Sequence, residues 1–238
     1  MNWFARFLRP VQDAAAVLDA RQEQLLADWR QSSDVDLRRS HYRSRYVVID
    51  VEASSGDAHT ARLLAVAAVA VIDGQIAFRD AWQLLRPEVE PGAASPSVGV
   101  TEAPAELPAE VPMVEGLLSF LGFVGKAPVV AYNARFVRRV LKRALAEYLG
   151  VRLRLPWLDM AWILPDLFRE VDAGPERLDA WLEHFGIASI KRHDALSDAF
   201  ATAQLLQIAI AHAASKGFET PASLRELEKA RRHLHQSA

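Results

Sequence analysis

From Tyr46 onward the chain alternates between two periods, and the alternation predicts its elements. Tyr46-Val47-Val48-Ile49-Asp50-Val51-Glu52 is a β-branched apolar run, the signature of a short, central strand over Val47–Glu52. Arg62 to Ile72 is a second apolar run of strand type. Asp73-Gly74 follows it, a hairpin signal because glycine accepts the positive φ that tight hairpins need. Ile76, Phe78, Asp80, Trp82 and Leu84 then alternate with Ala77, Arg79, Ala81 and Gln83, which predicts a third strand. Three antiparallel strands therefore come first. Pro87 to Pro112, rich in Pro, Ala, Glu and Ser, reads as a long loop. Beyond it the pattern predicts a helix over Met113–Phe123, a short strand over Pro128–Tyr132 and a helix over Asn133–Leu149. A second short extended piece ends at Asp159. Helices over Glu176–Phe185 and Asp194–His212 follow, with Gly186 as a C-terminal stop. This order predicts an α/β domain, a mixed sheet with helices on both faces, spanning residues 46–212.

The flanks read differently. Residues 1–45 form an N-terminal helical and basic extension. Val11 to Arg30 has helical spacing with Val17, Leu18, Leu25, Leu26 and Trp29 as its apolar members, and an Arg-rich stretch from Arg38 to Arg45 leads into the first strand. Trp3, Phe4, Phe7 and Leu8 beside Arg6 and Arg9 suit either a membrane-surface anchor or packing on the domain or a protein partner; the segment's shortness favours packing. Residues 213–238 hold a charged tail helix, Leu224 to Leu234, expected at the periphery.

Composition narrows the function classes. Half the residues are apolar (51%) and 24% are charged, enough for a sizeable core in a soluble chain. A net charge of −2 gives no global attraction to nucleic acid, so any such site must be locally basic. The absence of cysteine excludes disulfides and thiolate metal sites and fits a cytoplasmic setting. No apolar stretch reaches the roughly 18 residues of a membrane span, and the N-terminal stretch lacks the apolar core of a secretory signal.

Candidate chemistry begins with Asp50 and Glu52. Side chains two apart on a strand share a face, and two neighbouring carboxylates repel unless a cation lies between them. Mg²⁺ or a similar hard cation takes such oxygen ligands; otherwise the pair is two solvated acids at a strand end. Ser54-Ser55-Gly56 follows, a small turn that either lets a backbone approach closely or is simply a polar loop. Near the other end, Asp194 suits an N-cap, Asp198 lies one turn into the helix, and His193 precedes both. A neutral imidazole beside a metal ligand can take a proton from water; in isolation these three also read as surface groups.

Taken together with Ala131-Tyr132-Asn133-Ala134-Arg135-Phe136-Val137, and with Leu178-Asp179-Ala180-Trp181-Leu182 and Phe185-Gly186-Ile187, these segments resemble the exonuclease domain shared by the DNA polymerase III epsilon subunit and ribonuclease T, the DEDDh exonucleases. The resemblance covers roughly Tyr46 to His212. It implies a ribonuclease H-like mixed five-stranded sheet and two divalent ions, Mg²⁺ or Mn²⁺, serving an in-line displacement. By motif, Asp50, Glu52 and Asp198 would be metal ligands and His193 the general base. Ser54, Ser55, Gly56, Asn133 and Phe136 would contact a single-stranded DNA or RNA 3′ end. Small nucleases of this class often pair, so a homodimer is a further expectation.

The middle motif departs from the family. There the family usually reads His-Asn-x-x-Phe-Asp, whereas this chain has Tyr132 and Val137 at the first and last positions. Ala65 stands where the second strand often has Glu, and the usual loop histidine near Ser97–Thr101 is absent. At about 100° per residue, Phe136, Val137, Val140, Leu141, Ala144, Leu145 and Tyr148 form one apolar arc with Val137 near its middle. Arg135, Arg138, Arg139, Lys142 and Arg143 fill the opposite arc, which suits phosphate binding or a solvated face; its expected place, turned away from the site, favours the solvated face. Two readings stand: a metal-dependent 3′–5′ exonuclease weakened at one metal, or a non-catalytic module of the same fold binding nucleic acid, a nucleotide or a protein, with residues 1–45 as its docking element. Asp194 and Asp159 are the acids at hand to stand in for the missing one, though the spacing favours neither.

Overall fold

The computed structural model describes residues 18–85, 112–171 and 178–236. Most of the Pro87–Pro112 segment, the Trp3–Leu8 aromatics and the start of the helix expected from Glu176 lie outside these residues. The sheet has five strands: β1 (Arg45–Ala53), β2 (Leu63–Ile72), β3 (Gln75–Leu85), β4 (Val129–Ala131) and β5 (Trp157–Asp159). Their order across the sheet is β3-β2-β1-β4-β5. β2 runs antiparallel to both of its neighbours, β1 and β3, while β4 and β5 run parallel to β1. The helices are α1 (Ala20–Gln31), α2 (Met113–Val124), α3 (Ala134–Leu149), α4 (Met160–Leu167), α5 (Leu178–His184), α6 (Ala195–Ser215) and α7 (Pro221–Gln236). The mixed sheet covered on both faces is the architecture that the periodicity predicts.

β1 lies at the centre, so its two faces feed two cores. Tyr46 and Val48 face a core shared with α4 and α6, and Val47, Ile49 and Val51 face one built with α2 and α3. The hairpin after β2 is of the expected kind, with Asp73 at φ 51° and Gly74 at φ 79°. β3 departs from strict alternation. A bulge lies between the Val69↔Ala81 and Val71↔Ile76 pairings, so Ile76 packs on the α6 side while Trp82 and Leu84 pack on the α2 side. An extra run of residues on one strand resets the phase of every side chain beyond it, and Phe78 within the bulge is left 74% exposed, stacked on Phe200.

The described parts of both flanks are tied to the domain. α1 docks on α2: the Trp29 indole donates to the Gly125 carbonyl at 2.9 Å, Lys126 sits 3.8 Å over the Trp29 ring, and Gln22 reaches Glu115 at 2.9 Å. Residues 18–31 therefore pack on the chain's own surface. Buried His41 hydrogen-bonds the Tyr46 hydroxyl (2.6 Å) and the Phe218 carbonyl (2.8 Å), joining the start of β1 to the α6–α7 turn. The tail helix is not peripheral. α7 buries Leu224 and Leu227 in the α6-side core and lies against α4 and β5.

Candidate active site

The site forms where the central strand ends. Asp50 and Glu52 share a face with Tyr46 and Val48, and α6 crosses that face. Asp194 caps α6 by accepting from the Ser197 N–H at 3.0 Å. One turn on, Asp198 points at the strand acids and is only 5% exposed. One ligand oxygen from each of Asp50, Glu52 and Asp198 lies within 4.8 Å of the others. Hard oxygen donors this close suit a divalent cation, and no second acidic or histidine cluster of this kind occurs among the described residues.

The loop ahead of α6 orients Asp198. One carboxylate oxygen accepts the His193 backbone N–H at 3.2 Å; the other accepts the Ser189 hydroxyl at 3.3 Å and is ion-paired with Arg192. Arg192 also holds Asp179 of α5 at 2.6 Å, so its guanidinium bridges the two helices. His193 itself has φ 60°. A left-handed backbone costs about 1–2 kcal/mol for a residue with a side chain, and here it turns the imidazole into the cleft while its N–H serves Asp198.

Burial and mutual repulsion show in the carboxyl groups. Asp50 is pushed up to about 8, first by burial and then by the neighbouring Asp198 and Glu52 charges. Glu52 is also raised, by burial and by Asp198, with His193 and Arg192 acting against the rise. Two strand carboxyls that resist losing their protons beside a third acid are what mutual repulsion and burial produce, and a bound cation would relieve both.

These groups line a cleft of about 810 Å³. Asp50, Glu52, His193 and Asp198 all border it, as do Gly56, Asn133 and Phe136. Gly56 opens to empty space, with no atom within 4 Å of an added Cβ. Ser54 and Ser55 do not reach the cleft; the Ser54 hydroxyl accepts the Arg62 N–H at 2.9 Å and closes the β1–β2 loop. Val137 is 2% exposed within the α3-side core and also borders the cleft. Neither stand-in acid joins the cluster. Asp194 is spent on its cap, and Asp159 caps α4 through the Ala161 N–H and pairs with Arg232 at 2.7 Å.

Other cleft residues escaped sequence reasoning. Asp57 and His59 form the rim, ordered by the Asp57 carboxylate accepting the His59 N–H at 2.9 Å and the Thr60 hydroxyl at 3.1 Å. Arg232 of α7 crosses 4.7 Å over the Trp162 ring to Asp159, while Glu228 accepts the Asp159 N–H at 3.0 Å. The only signal for this cluster in the sequence is the Glu228/Arg232 spacing of four; its partner is 73 residues away. Arg135 and Arg139 also line the cleft, which corrects the expectation that the basic arc of α3 faces away. A helical wheel treats a helix as endless, but the first turns of α3 stand at the cleft mouth, where opposite arcs both reach it.

The sequence profile of the RNase T exonuclease family matches residues 47–206, two thirds of the chain. The chain belongs to this exonuclease family. It carries a DEDDh-type 3′–5′ exonuclease domain of the ribonuclease H-like superfamily. Exonucleases of the family are generally dependent on a divalent metal, and the acidic triad here fits one. Similar sequences include the PolC-type DNA polymerase III of Thermotoga petrophila, 29% identical over 167 residues that make up 70% of this chain and 12% of the relative. The PolC-type enzyme of Clostridium perfringens is 27% identical over 173 residues, 70% of this chain and 11% of the relative. The exonuclease chain thus spans about a tenth of the length of these polymerases. Among solved structures, zinc-bound E. coli exonuclease I with single-stranded DNA aligns at a TM-score of 0.46 and 15% identity, over 71% of this chain and 41% of that one. Cell-death related nuclease 4 aligns at 0.49 and 14%, over 71% and 64%. No helix among the described residues is long and apolar enough to cross a membrane.

Proposed function

We propose that this exonuclease removes nucleotides from single-stranded 3′ ends in a reaction that needs Mg²⁺ or Mn²⁺. The observation that carries the reading is the triad of Asp50, Glu52 and Asp198, with ligand oxygens within 4.8 Å, beside His193 in one open cleft. Asp50, Glu52 and Asp198 would hold the metal, which when bound supplies an activated water and charge stabilisation at phosphorus. His193 would take the proton of the attacking water through its imidazole. Asn133 and Phe136, at the start of α3, would bound the terminal nucleotide, and Gly56 would let the strand pass close to the rim. Release of mononucleotides from a labelled oligonucleotide, dependent on added metal, tests this reading.

A slower enzyme than relatives with a full acid set is the form of the reading that the site supports best. Val137 offers the cation no oxygen, and Arg192 competes with it for Asp198.

A metal readout independent of turnover follows from the protons. Folded Asp50 keeps its proton up to about pH 8, whereas in an unfolded chain the carboxyl ionises near 3.8. Its contribution to stability is complete below the lower value and is lost as pH rises toward the upper one. In EDTA the melting temperature is therefore expected to fall between about pH 5 and pH 8.5. Added Mn²⁺ should raise it more at the alkaline end, since protons compete with the metal for the same oxygens. Equal Mn²⁺ stabilisation across that range, or none, would count against a metal held by Asp50.

A further inference from the structure

We infer that the basic stripe of α3 is a track for the phosphate backbone of the strand whose 3′ end enters the cleft. This rests on the exonuclease reading and adds where the rest of the substrate lies.

α3 carries five cations within nine residues, Arg135 to Arg143, and a single acid, Glu147. Two of the cations have structural work. Arg143 donates to the carbonyls of Ala61 (2.9 Å) and Ala58 (3.3 Å), and Arg139 donates to the His59 ring at 2.9 Å. Both therefore pin the rim loop. Arg135, Arg138 and Lys142 are exposed and form no ion pair with any described residue. An ordinary solvated helix face intersperses acids at three- or four-residue spacing; this one does not.

The cations also sit in a groove. Arg135, Arg138, Arg139 and Lys142 fall at i, i+3, i+4 and i+7, one stripe about 10 Å long on the helix axis. With Trp157 and Arg232 they line a depression of about 400 Å³. Arg135, Arg139 and Arg232 border both this groove and the catalytic cleft, so one opens into the other. Glu228 also lines the groove, but its carboxylate is engaged by Arg232 at 2.8 Å and by the Asp159 N–H. In a chain of net charge −2, a continuous positive groove ending at a carboxylate cluster fits a polyanion held along its length and presented by one end. The half-buried Trp157 indole adds an apolar wall of the kind on which bases stack.

The test uses the full chain and Arg138 and Lys142, which line the groove but not the cleft. Fluorescence anisotropy with 5′-labelled single-stranded oligonucleotides of roughly 4 and 12 nucleotides, in EDTA so that the strand stays intact, reads affinity at several salt concentrations. R138A/K142A is expected to bind the longer strand about tenfold more weakly and to lower its log K against log salt slope by about 1.4, at about 0.7 for each phosphate no longer neutralised. Hydrolysis of the p-nitrophenyl ester of thymidine monophosphate, small enough to use the cleft alone, should stay within about twofold of wild type. Wild-type affinity and slope in R138A/K142A would overturn the track, and cleavage of the short strand would then leave the exonuclease reading standing. Loss of binding to anionic phospholipid vesicles with no change for oligonucleotides would make the stripe a membrane face and would also overturn it. Weaker long-strand binding supports the track, even if no strand is cut and the exonuclease reading fails.

Discussion

Replacing Asp50 with asparagine is expected to lower metal-dependent nucleotide release by about 10²–10³-fold, the usual cost of removing one group that stabilises charge in a transition state. Asp50 lies in the C-terminal half of the central strand, faces Asp198 of α6, and has an oxygen within 4.8 Å of both other acids. Asparagine keeps the shape and removes the charge the cation needs. The fold should not suffer. Burial and two neighbouring acids already oppose ionisation of this carboxyl and push it up to about 8. A neutral amide in the same place relieves that opposition at alkaline pH, so D50N in EDTA should melt at the wild-type temperature or above it. It should also lose the Mn²⁺-dependent rise. A drop in activity accompanied by a lower melting temperature in EDTA would instead place Asp50 in the scaffold.

The second large effect is expected from Val137→Asp. Val137 is 2% exposed in the α3-side core and borders the same cleft as the three acids. Without metal, a carboxylate there is buried beside others of its kind, at a cost of about 3 kcal/mol. For a chain of this size that is a fall in melting temperature of roughly 6–12 °C. With Mn²⁺ the same group gains a counter-charge, and the loss should be largely recovered. Nucleotide release should rise by about tenfold or more, approaching the 10²-fold scale of a single catalytic group. Val137→Asn controls for shape, since it places a polar group at the position without the charge. If V137D and V137N lose stability equally and neither responds to Mn²⁺, position 137 is purely a packing site.

These variants probe a site that the sequence revealed unevenly. Asp50 and Glu52 were legible because strand periodicity is local: two apart on a β-branched run means one face. Asp73-Gly74 was legible for the same kind of reason, since both residues take positive φ within one turn. Asp198 needed only a capping pattern. Long-range choices were not legible. Arg232 meets Asp159 across 73 residues, and nothing near either marks the pairing. Ser54 looked like a substrate contact from its type and place, yet its hydroxyl serves the Arg62 N–H. The faces of β3 are hidden by a bulge, because alternation read along one strand carries no sign of residues added against its partner. Helical periodicity fixes where the basic arc of α3 lies around the helix but not where it lies in the molecule. Which end of a helix meets the cleft depends on the β4–α3 connection, where Asn133 adopts φ 55° and turns the chain.

End-resolved digestion tests the nuclease centre most directly. A 5′-labelled single strand of roughly 12 nucleotides, incubated with the full chain and Mn²⁺, should shorten stepwise from its 3′ end. The ladder should vanish in EDTA and in the D50N variant. A strand that stays intact with both Mg²⁺ and Mn²⁺, in wild type and in V137D alike, would contradict the claim that these carboxylates form a working nuclease centre.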